Sequence, residues 1–237
     1  MGLRFRASHF IHLPLLLLAV GLGYELANYL SKNSNGAYQF NVEVLPRNRL
    51  DMLLTKTDMI IPWVSYAWFG PKATEKYQWS KPIFKDASIY IWNKKSVQTF
   101  SQPEHLKGFH LGGIQGYHFI NVGPLVKSGE VKRSDTGSEQ QLLEMLLLKR
   151  FDDGIGPYSS FAYIIKDNSW KDDFSYSIYH NYQRHFLIKT TNKELSSYIE
   201  EIPQKMLADK NWGQIMQTYG LDNILLNNLG GFTTKNE

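Results

Sequence analysis

One short segment limits what this chain can fold into more than any other: three apolar residues, Met59 to Ile61, followed at once by Pro62. Three residues are too few for a helix and fit a fully buried strand. Because proline has no N–H to give to a sheet ladder, we expect the strand to end at Pro62. The segment therefore predicts a buried sheet with a defined strand end.

Aromatic and hydroxyl side chains follow directly after this strand: Trp63, Ser65, Tyr66, Trp68 and Phe69. In an open α/β sheet, ligands bind at the carboxyl ends of the strands. Any one of these rings would equally fit a core. Five such groups in seven positions favour a recognition loop, and the aromatic content of 14% suits a cleft that stacks on small organic ligands.

Charge and composition exclude several classes of function. The net charge of +4 is spread along the chain without a basic block, which argues against a nucleic-acid partner. The absence of cysteine excludes disulfides, thiol chemistry and cysteine-bound metals. The 237 residues and the apolar content of 43% suit one folded domain or two small ones.

No cofactor motif or metal motif is present in the sequence. There is no phosphate-binding loop, no dinucleotide fingerprint and no nucleophile elbow. Four histidines lack the close spacing and the carboxylate neighbours of a metal site: His105, His110, His180 and His185. We therefore expect neither a cofactor nor a bound metal.

Two interpretations of the N-terminal segment stay open. Two arginines before the apolar run from Leu13 to Leu22 resemble a secretory signal peptide. Alternatively, Leu3 to Ala7 is a first strand, Leu15 to Leu18 is a short extended segment, and a turn at Gly21 to Gly23 leads into a helix from Tyr24 to Leu30. The strand is favoured because this helix would otherwise have no strand before it.

Strand and helix patterns alternate along the first half of the chain. Tyr38 to Leu45 and Ala87 to Trp92 fit strands, and Arg47 to Thr55 places its leucines on one helical face. Together with the Met59 strand, this alternation predicts an α/β fold in which the strands pair in parallel.

The second half repeats this pattern. The predicted strands are Phe109–Ile114, Val131–Arg133, Phe151–Gly156 and Phe174–Ile188, and the predicted helices are Leu142–Lys149 after a capping box at Ser138–Gln141, one from Lys193 to Met206 and one around Trp212. After the first of these strands, Gln115 to Tyr117 fits a strand-to-helix turn whose main-chain N–H groups would form a small anion site.

Several short segments resemble those of one bacterial family. They are Gly23–Ala27, Pro46–Leu50, Thr57–Ile61, Tyr77–Phe84, Leu106–Gly108 with Gly113–Gly116, and Arg150–Asp152. On these segments, and on the order of elements from Leu3 to Leu221, the chain resembles the extracellular solute-binding proteins of family 3. That family has the type II periplasmic binding fold and serves amino-acid uptake.

The resemblance implies an α/β fold of two lobes with mixed sheets, joined by two crossover strands that act as a hinge. The crossovers would lie near Ile91–Lys95 and Ser177–His185. Lobe I would take residues 1–93 and 182–237, and lobe II residues 94–181. The resemblance further implies a monomeric periplasmic protein that captures a small solute for the membrane permease of an ABC transporter and performs no catalysis.

The resemblance also implies which positions contact the solute. In lobe I these are His9 and Phe10 after the first strand, and Trp63, Ser65, Tyr66 and Trp68. In lobe II they are Gln115, Gly116, Tyr117, His118 and Tyr158.

Two departures from the family pattern concern the solute. Amino-acid binders of this family have an arginine shortly after the serine, which binds the ligand carboxylate in a bidentate manner; here Trp68 to Lys72 contains none. They also have an acidic residue for the α-ammonium group, and here that position is Pro157. The sequence therefore predicts an aromatic, heterocyclic or otherwise apolar solute rather than a standard α-amino acid.

Two alternative functions stay open. Enzymes such as cyclohexadienyl dehydratases are similar to this family, and an acid or base for such chemistry could come from His9, His12, His118 or Glu25. A lone histidine in a loop is more often a structural or ligand-contacting residue. The second alternative is a sensing module for a signalling partner, which the sequence does not separate from a transport protein.

Overall fold

The computed structural model of the chain describes residues 2–7, 17–45, 47–96, 100–119 and 121–221. Two predicted solute contacts, His9 and Phe10, lie outside these residues. The described residues form two compact units. Unit 1 contains the chain up to Lys85 together with the C-terminal segment from Gln183, and unit 2 runs from Asp86 to Tyr182.

The elements alternate between strand and helix as the sequence predicts. The strands are β1 (Gly2–Ala7), β2 (Phe40–Leu45), β3 (Met59–Val64), β4 (Gln78–Trp79), β5 (Phe84–Asn93), β6 (His110–Ile114), β7 (Lys132–Thr136), β8 (Asp153–Pro157) and β9 (Phe174–Lys189). The α-helices are α1 (Leu17–Asn33), α2 (Arg47–Leu54), α3 (Ala73–Lys76), α4 (Gly123–Lys127), α5 (Glu139–Leu147), α6 (Tyr158–Asp167), α7 (Lys193–Ala208) and α8 (Lys210–Thr218). Two short 3₁₀ helices cover Tyr66–Phe69 and Pro103–Leu106.

In unit 1, the strands follow the order β2-β1-β3-β9, and β4 also pairs with β9. The prediction of a first strand is confirmed, but the prediction of parallel pairing is wrong here, because β1 is antiparallel to both β2 and β3. The order of strands and helices in a sequence does not fix the direction of the first strand.

The core of unit 1 lies where α2 meets the sheet. Leu50 and Leu54, one helical turn apart, are buried together with Met59, Ile61 and Leu187. The aliphatic side chains of this cluster each stabilise the fold by about 1.5–3 kcal/mol through removal from water. The predicted apolar face of α2 is therefore the face that anchors β3, and β3 leads into the candidate site.

In unit 2, the strands follow the order β9-β5-β8-β6-β7. β6 pairs in parallel with β7 and with β8, and β5 is antiparallel to β8. The parallel pairing expected from the sequence therefore occurs in this unit, within a mixed sheet. One face of the sheet packs on a core that includes Tyr90, Trp92, Phe100, Leu111 and Ile155.

The predicted cap of α5 is present. The Ser138 hydroxyl accepts a hydrogen bond from the Gln141 amide at 3.2 Å, which satisfies an N–H of the first turn. The Gln141 side chain accepts from the Gly137 amide at 2.9 Å. Because the cap fixes the start, the helix begins at Glu139 rather than at Leu142.

Three predicted boundaries are wrong. The helix α1 begins at Leu17, so Leu17 and Leu18 are helical rather than extended, and Gly21 to Gly23 lie inside the helix. β3 continues beyond Pro62 to Val64. A helix that the sequence pattern did not predict, α6, starts at Tyr158 directly after β8.

Both β5 and β9 carry the chain from one unit into the other. The units divide between Lys85 and Asp86 in β5 and between Tyr182 and Gln183 in β9. The lobe boundaries inferred from the resemblance, at residues 93 and 181, stay a prediction. In the part of the chain that the structure describes, no helix is long and apolar enough to cross a membrane.

The packing of β8 against α6 makes a testable prediction about Gly156. A Cβ atom at this position would lie 2.6 Å from Cζ of Phe161, a ring with no exposed surface. We expect Gly156→Ala to lower the free energy of unfolding by about 1–3 kcal/mol, as overpacking does. Gly213→Ala in α8 is the matched control, since nothing lies within 4 Å of its Cβ position.

The control should be neutral or stabilise the protein by up to about 1 kcal/mol, because alanine favours helix more than glycine does. Urea unfolding of both variants measures the two effects. Equal stability of the Gly156→Ala variant and the parent protein would show that β8 and α6 do not pack as described.

Candidate functional site

The end of β3 departs from a regular strand at Pro62 and Trp63. The pairing of β3 with β9 shifts its register between Ile61 and Val64, as in a β-bulge. Trp63 has a φ of 64°, which is uncommon for a residue other than glycine. A bulge needs no ladder hydrogen bond from Pro62, and this explains why the strand continues past the proline.

Contacts within unit 1 hold Trp63 in this conformation. Its ring stacks on the Trp212 ring, with centroids 6.3 Å apart and planes 15° apart, and lies 5.6 Å from the Phe84 ring. Its carbonyl, displaced from the ladder, accepts a hydrogen bond from the Arg184 guanidinium. Its indole Nε1 is buried without a hydrogen-bond partner among the described residues. An unusual backbone conformation supported from several sides is typical of functional sites.

Ser65 and Tyr66 follow the bulge as the start of a 3₁₀ helix. Ser65 is buried, and its carbonyl accepts from the Trp68 amide at 3.1 Å. Tyr66 is 46% exposed, and its ring contacts Trp79 and His185 at centroid distances of 6.1 and 5.6 Å. Tyr66 is thus the ring of this loop that is most open to a ligand.

Two arginines flank the loop that contains Trp68. The Arg184 guanidinium lies 4.7 Å above the Trp68 ring. The Arg47 guanidinium lies 4.6 Å above the Phe69 ring, donates to the Trp68 carbonyl at 3.1 Å and pairs with Asp51 at 2.8 Å. The aromatic loop therefore lies against two positive charges.

Sequence reasoning missed Arg184. The family resemblance places an arginine within the loop itself, whereas Arg184 lies in β9, 121 residues after Trp63. Its position inside the predicted crossover Ser177–His185 was the available signal, because a crossover strand runs beside the ends of other strands. No arginine follows Ser65 closely in the sequence, but the fold still brings an arginine, Arg184, next to the loop.

His185 is a second residue beside the loop that the sequence did not assign. It is buried, and its Nδ1 lies 2.9 Å from the Ser80 carbonyl, so Nδ1 carries the proton. Nε2 is buried without a partner in the described part of the chain. Burial lowers the pKa of His185, more than the hydrogen bond to Ser80 raises it.

The predicted site residues of unit 2 lie mainly in the turn after β6. Gly116 has a φ of 82°, which glycine adopts at no steric cost. The Gln115 amide donates to the Thr136 carbonyl and the Tyr117 amide to the Ile114 carbonyl, both at 3.0 Å. Because these amides have partners, the predicted main-chain anion site is not formed by them. The predicted helix start at Tyr117 and His118 is also wrong, since α4 begins at Gly123.

Charged side chains surround Tyr117. Its hydroxyl donates to Glu139 at 3.1 Å, and its carbonyl accepts from Arg133 at 2.9 Å. Arg133 also pairs with Asp135 at 2.6 Å. Tyr117 therefore offers a ring whose hydroxyl is already bound, whereas the neighbouring His118 is exposed.

Tyr158 follows β8, the parallel neighbour of β6, so it comes after the same edge of the sheet as this turn. It begins α6, is 4% exposed and has its ring 5.5 Å from the Tyr176 ring. In unit 1, by contrast, four of the predicted solute contacts lie in one cluster: Trp63, Ser65, Tyr66 and Trp68.

A buried carboxyl group that the sequence did not single out is Asp153 in β8. Its carboxyl group has no exposed surface and lies near the amides of Gly154 and Ile91, and the Tyr90 hydroxyl is also buried, without a partner among the described residues. Burial raises the pKa of Asp153 well above its usual range, more than the amides of Gly154 and Ile91 lower it. Because Asp153 has no exposed surface, we assign it no contact with a ligand.

The described residues contain no group of three or more acidic or histidine side chains that could hold a metal ion. The candidate site in each unit is therefore one of aromatic rings, hydrogen-bond donors and arginines.

Several solved structures have a similar fold. One is a variant of ArgBP from T. maritima, with 14% sequence identity, a TM-score of 0.66, and 83% of each chain covered. Another is AbpA, an amino acid ABC transporter substrate-binding protein from Streptococcus pneumoniae bound to L-arginine, with 14% identity, a TM-score of 0.61, and 85% of this chain and 84% of that chain covered.

A third is the GluR0 ligand-binding core in complex with L-glutamate, with 12% identity, a TM-score of 0.62, and 83% of this chain and 87% of that chain covered. No protein-family model and no curated protein sequence matches the chain. The likeness confirms the predicted α/β fold, the type II periplasmic binding fold.

The burial of His185 predicts how the stability of the protein depends on pH. Its folded pKa lies below the unfolded value of about 6.5, so the folded histidine stays neutral while the unfolded one takes up a proton. Stability should therefore fall as the pH drops below about 6.5, by up to about 1.4 kcal/mol per pH unit, until the folded pKa is reached.

His185→Gln should reduce this slope, because glutamine can still donate to the Ser80 carbonyl and does not titrate. The control, His105→Gln, changes an exposed histidine and should keep the slope. His110, whose pKa burial also lowers, contributes equally in both variants. Urea unfolding between pH 5 and 8 gives the slopes, and identical slopes in the two variants would contradict the prediction.

Proposed function

We propose that this chain is a solute-binding protein that captures a small organic molecule and delivers it to the membrane permease of an ABC transporter. The observation that carries the proposal is the shared fold: more than four fifths of the chain aligns with AbpA bound to L-arginine and with the GluR0 ligand-binding core in complex with L-glutamate. In the proposal, the protein acts as a monomer in the periplasm.

The aromatic loop of unit 1 supports a proposal about the class of solute. Tyr66 is exposed and offers a ring on which a planar molecule can stack, with Trp63 and Trp68 in the same loop. Arg184 brings positive charge to this loop, which favours a solute with an acidic group over a cationic one. Pro157 replaces the acidic residue that would hold an α-ammonium group. We infer a planar aromatic or heterocyclic acid rather than a standard α-amino acid.

Binding without catalysis is the better supported of the two classes of function. The three structural neighbours are binding proteins by name. Of the four candidate acids and bases, His9 and His12 lie outside the described residues, His118 is exposed and Glu25 lies in α1. A sensing role uses the same binding site, and only the membrane partner distinguishes it from transport.

Isothermal titration calorimetry tests the class of solute. The panel contains the twenty standard amino acids and a set of planar acids such as benzoate, nicotinate and indole-3-acetate. We expect a dissociation constant in the micromolar range or below for a planar acid, and none for the amino acids. Tight binding of an ordinary amino acid would overturn the inference about the solute.

Two arginine variants test the part played by unit 1. Arg184→Met should weaken binding of a planar acid by roughly tenfold or more, since a charge-assisted hydrogen bond is worth more than 1.4 kcal/mol. Arg47→Met is the matched control, because Arg47 also lies over a ring of the loop and donates to a loop carbonyl but pairs with Asp51. It should change affinity by no more than about threefold.

Arg184→Lys separates charge from support of the loop. Lysine keeps the charge but not the planar contact with Trp68, so we expect an intermediate affinity. Equal losses for Arg47→Met and Arg184→Met would show that Arg184 has no special relation to the solute.

A further inference from the structure

Asp86 is a fully buried carboxylate at the first position of unit 2. Its Oδ1 accepts hydrogen bonds from the Ala87 amide at 2.8 Å and the Ser159 amide at 3.1 Å. Its Oδ2 accepts from the Ser159 hydroxyl at 2.8 Å and from the Tyr182 hydroxyl at 3.3 Å. A buried charge with several donors around it is held in one geometry and is costly to disturb.

One part of this arrangement compensates for a missing helix cap. The residue before α6 is Pro157, which makes no side-chain cap to the helix. The amide of Ser159, in the first turn, finds its acceptor in Asp86 instead, 73 residues earlier in the chain. Asp86 thereby fixes the start of α6, where Tyr158 lies, and a negative charge at a helix N-terminus is favourable.

The other part lies where the chain passes between units. Asp86 is the first residue of unit 2 and Tyr182 is its last described residue, and they belong to β5 and β9, the two strands that continue into unit 1. A helix cap requires neither this position nor a contact with Tyr182. The Asp86 carboxylate thus links the two crossing strands, β5 and β9, to α6. This helix begins at Tyr158, a predicted solute contact.

We propose that Asp86 is a positioning residue that couples the two crossing strands to the Tyr158 end of α6. A change in the twist of β5 and β9 then shifts the first turn of α6. Conversely, a solute that holds Tyr158 in place restricts the movement of the two strands. The part of this proposal that concerns Tyr158 as a solute contact rests on the proposed function. The coupling between strands and helix does not.

The absence of cysteine allows two spin labels to be placed at will. Lys56→Cys in unit 1 and Lys127→Cys in unit 2 are exposed positions, and pulsed electron paramagnetic resonance measures the distance between the labels in solute-free protein. Hydrogen exchange of the first turn of α6 and thermal unfolding are measured on the same variants.

Three variants separate the hydrogen bonds that Asp86 accepts. Tyr182→Phe removes the hydroxyl that donates to Asp86 and keeps the helix cap, so it should broaden the distance distribution while the melting temperature changes by no more than about 2 °C and exchange in α6 stays as in the parent. Ser159→Ala removes only the hydroxyl bond to the helix, so it should speed exchange in α6 without broadening the distribution. Asp86→Asn should do both.

If Tyr182→Phe leaves the distance distribution unchanged, Asp86 is only a helix cap and the proposal is wrong. This variant retains the cap, so the test stands even where Asp86→Asn fails to fold. Because neither the distances nor the exchange rates require a solute, a failure to find one would count against the proposed function and not against the coupling.

Discussion

The bulge at Pro62 and Trp63 is the constraint on which the candidate site of unit 1 depends. A proline in the middle of a ladder would leave a gap, and the register shift between the Ile61–Leu187 and Val64–His185 pairs removes that cost. The displaced Trp63 carbonyl needs a donor, and the Arg184 guanidinium supplies it. Through this bond, Arg184 comes to lie over Trp68. One local backbone irregularity thus gathers the tryptophans, an arginine and a buried histidine.

Local patterns in the sequence predicted most of the elements and the fold, because apolar periodicity and caps act over a few residues. Met59 to Ile61 is a buried strand, Leu50 and Leu54 face the core, and Ser138 caps α5. The cluster of Trp63, Ser65, Tyr66 and Trp68 was also predictable, since these residues lie within one short loop. The direction of β1 was not predictable in this way, because strand direction depends on pairing partners elsewhere in the chain.

The residues that the sequence did not reveal act over long distances. Arg184 reaches a loop 121 residues away, and Asp86 caps a helix that begins beyond residue 157. No spacing rule links such positions, and their signal appears only when strands are placed side by side. The bulge at Trp63 was hidden for the opposite reason: its positive φ is favoured by glycine, and the sequence has tryptophan there.

The central claim is that the chain binds a small planar acid and leaves it chemically unchanged. The most direct test is a crystal structure of the protein with the planar acid that binds most tightly. We expect an intact solute in contact with the aromatic loop of unit 1, at Trp63 or Trp68. A solute bound away from this loop, or electron density for a converted product, would contradict the claim.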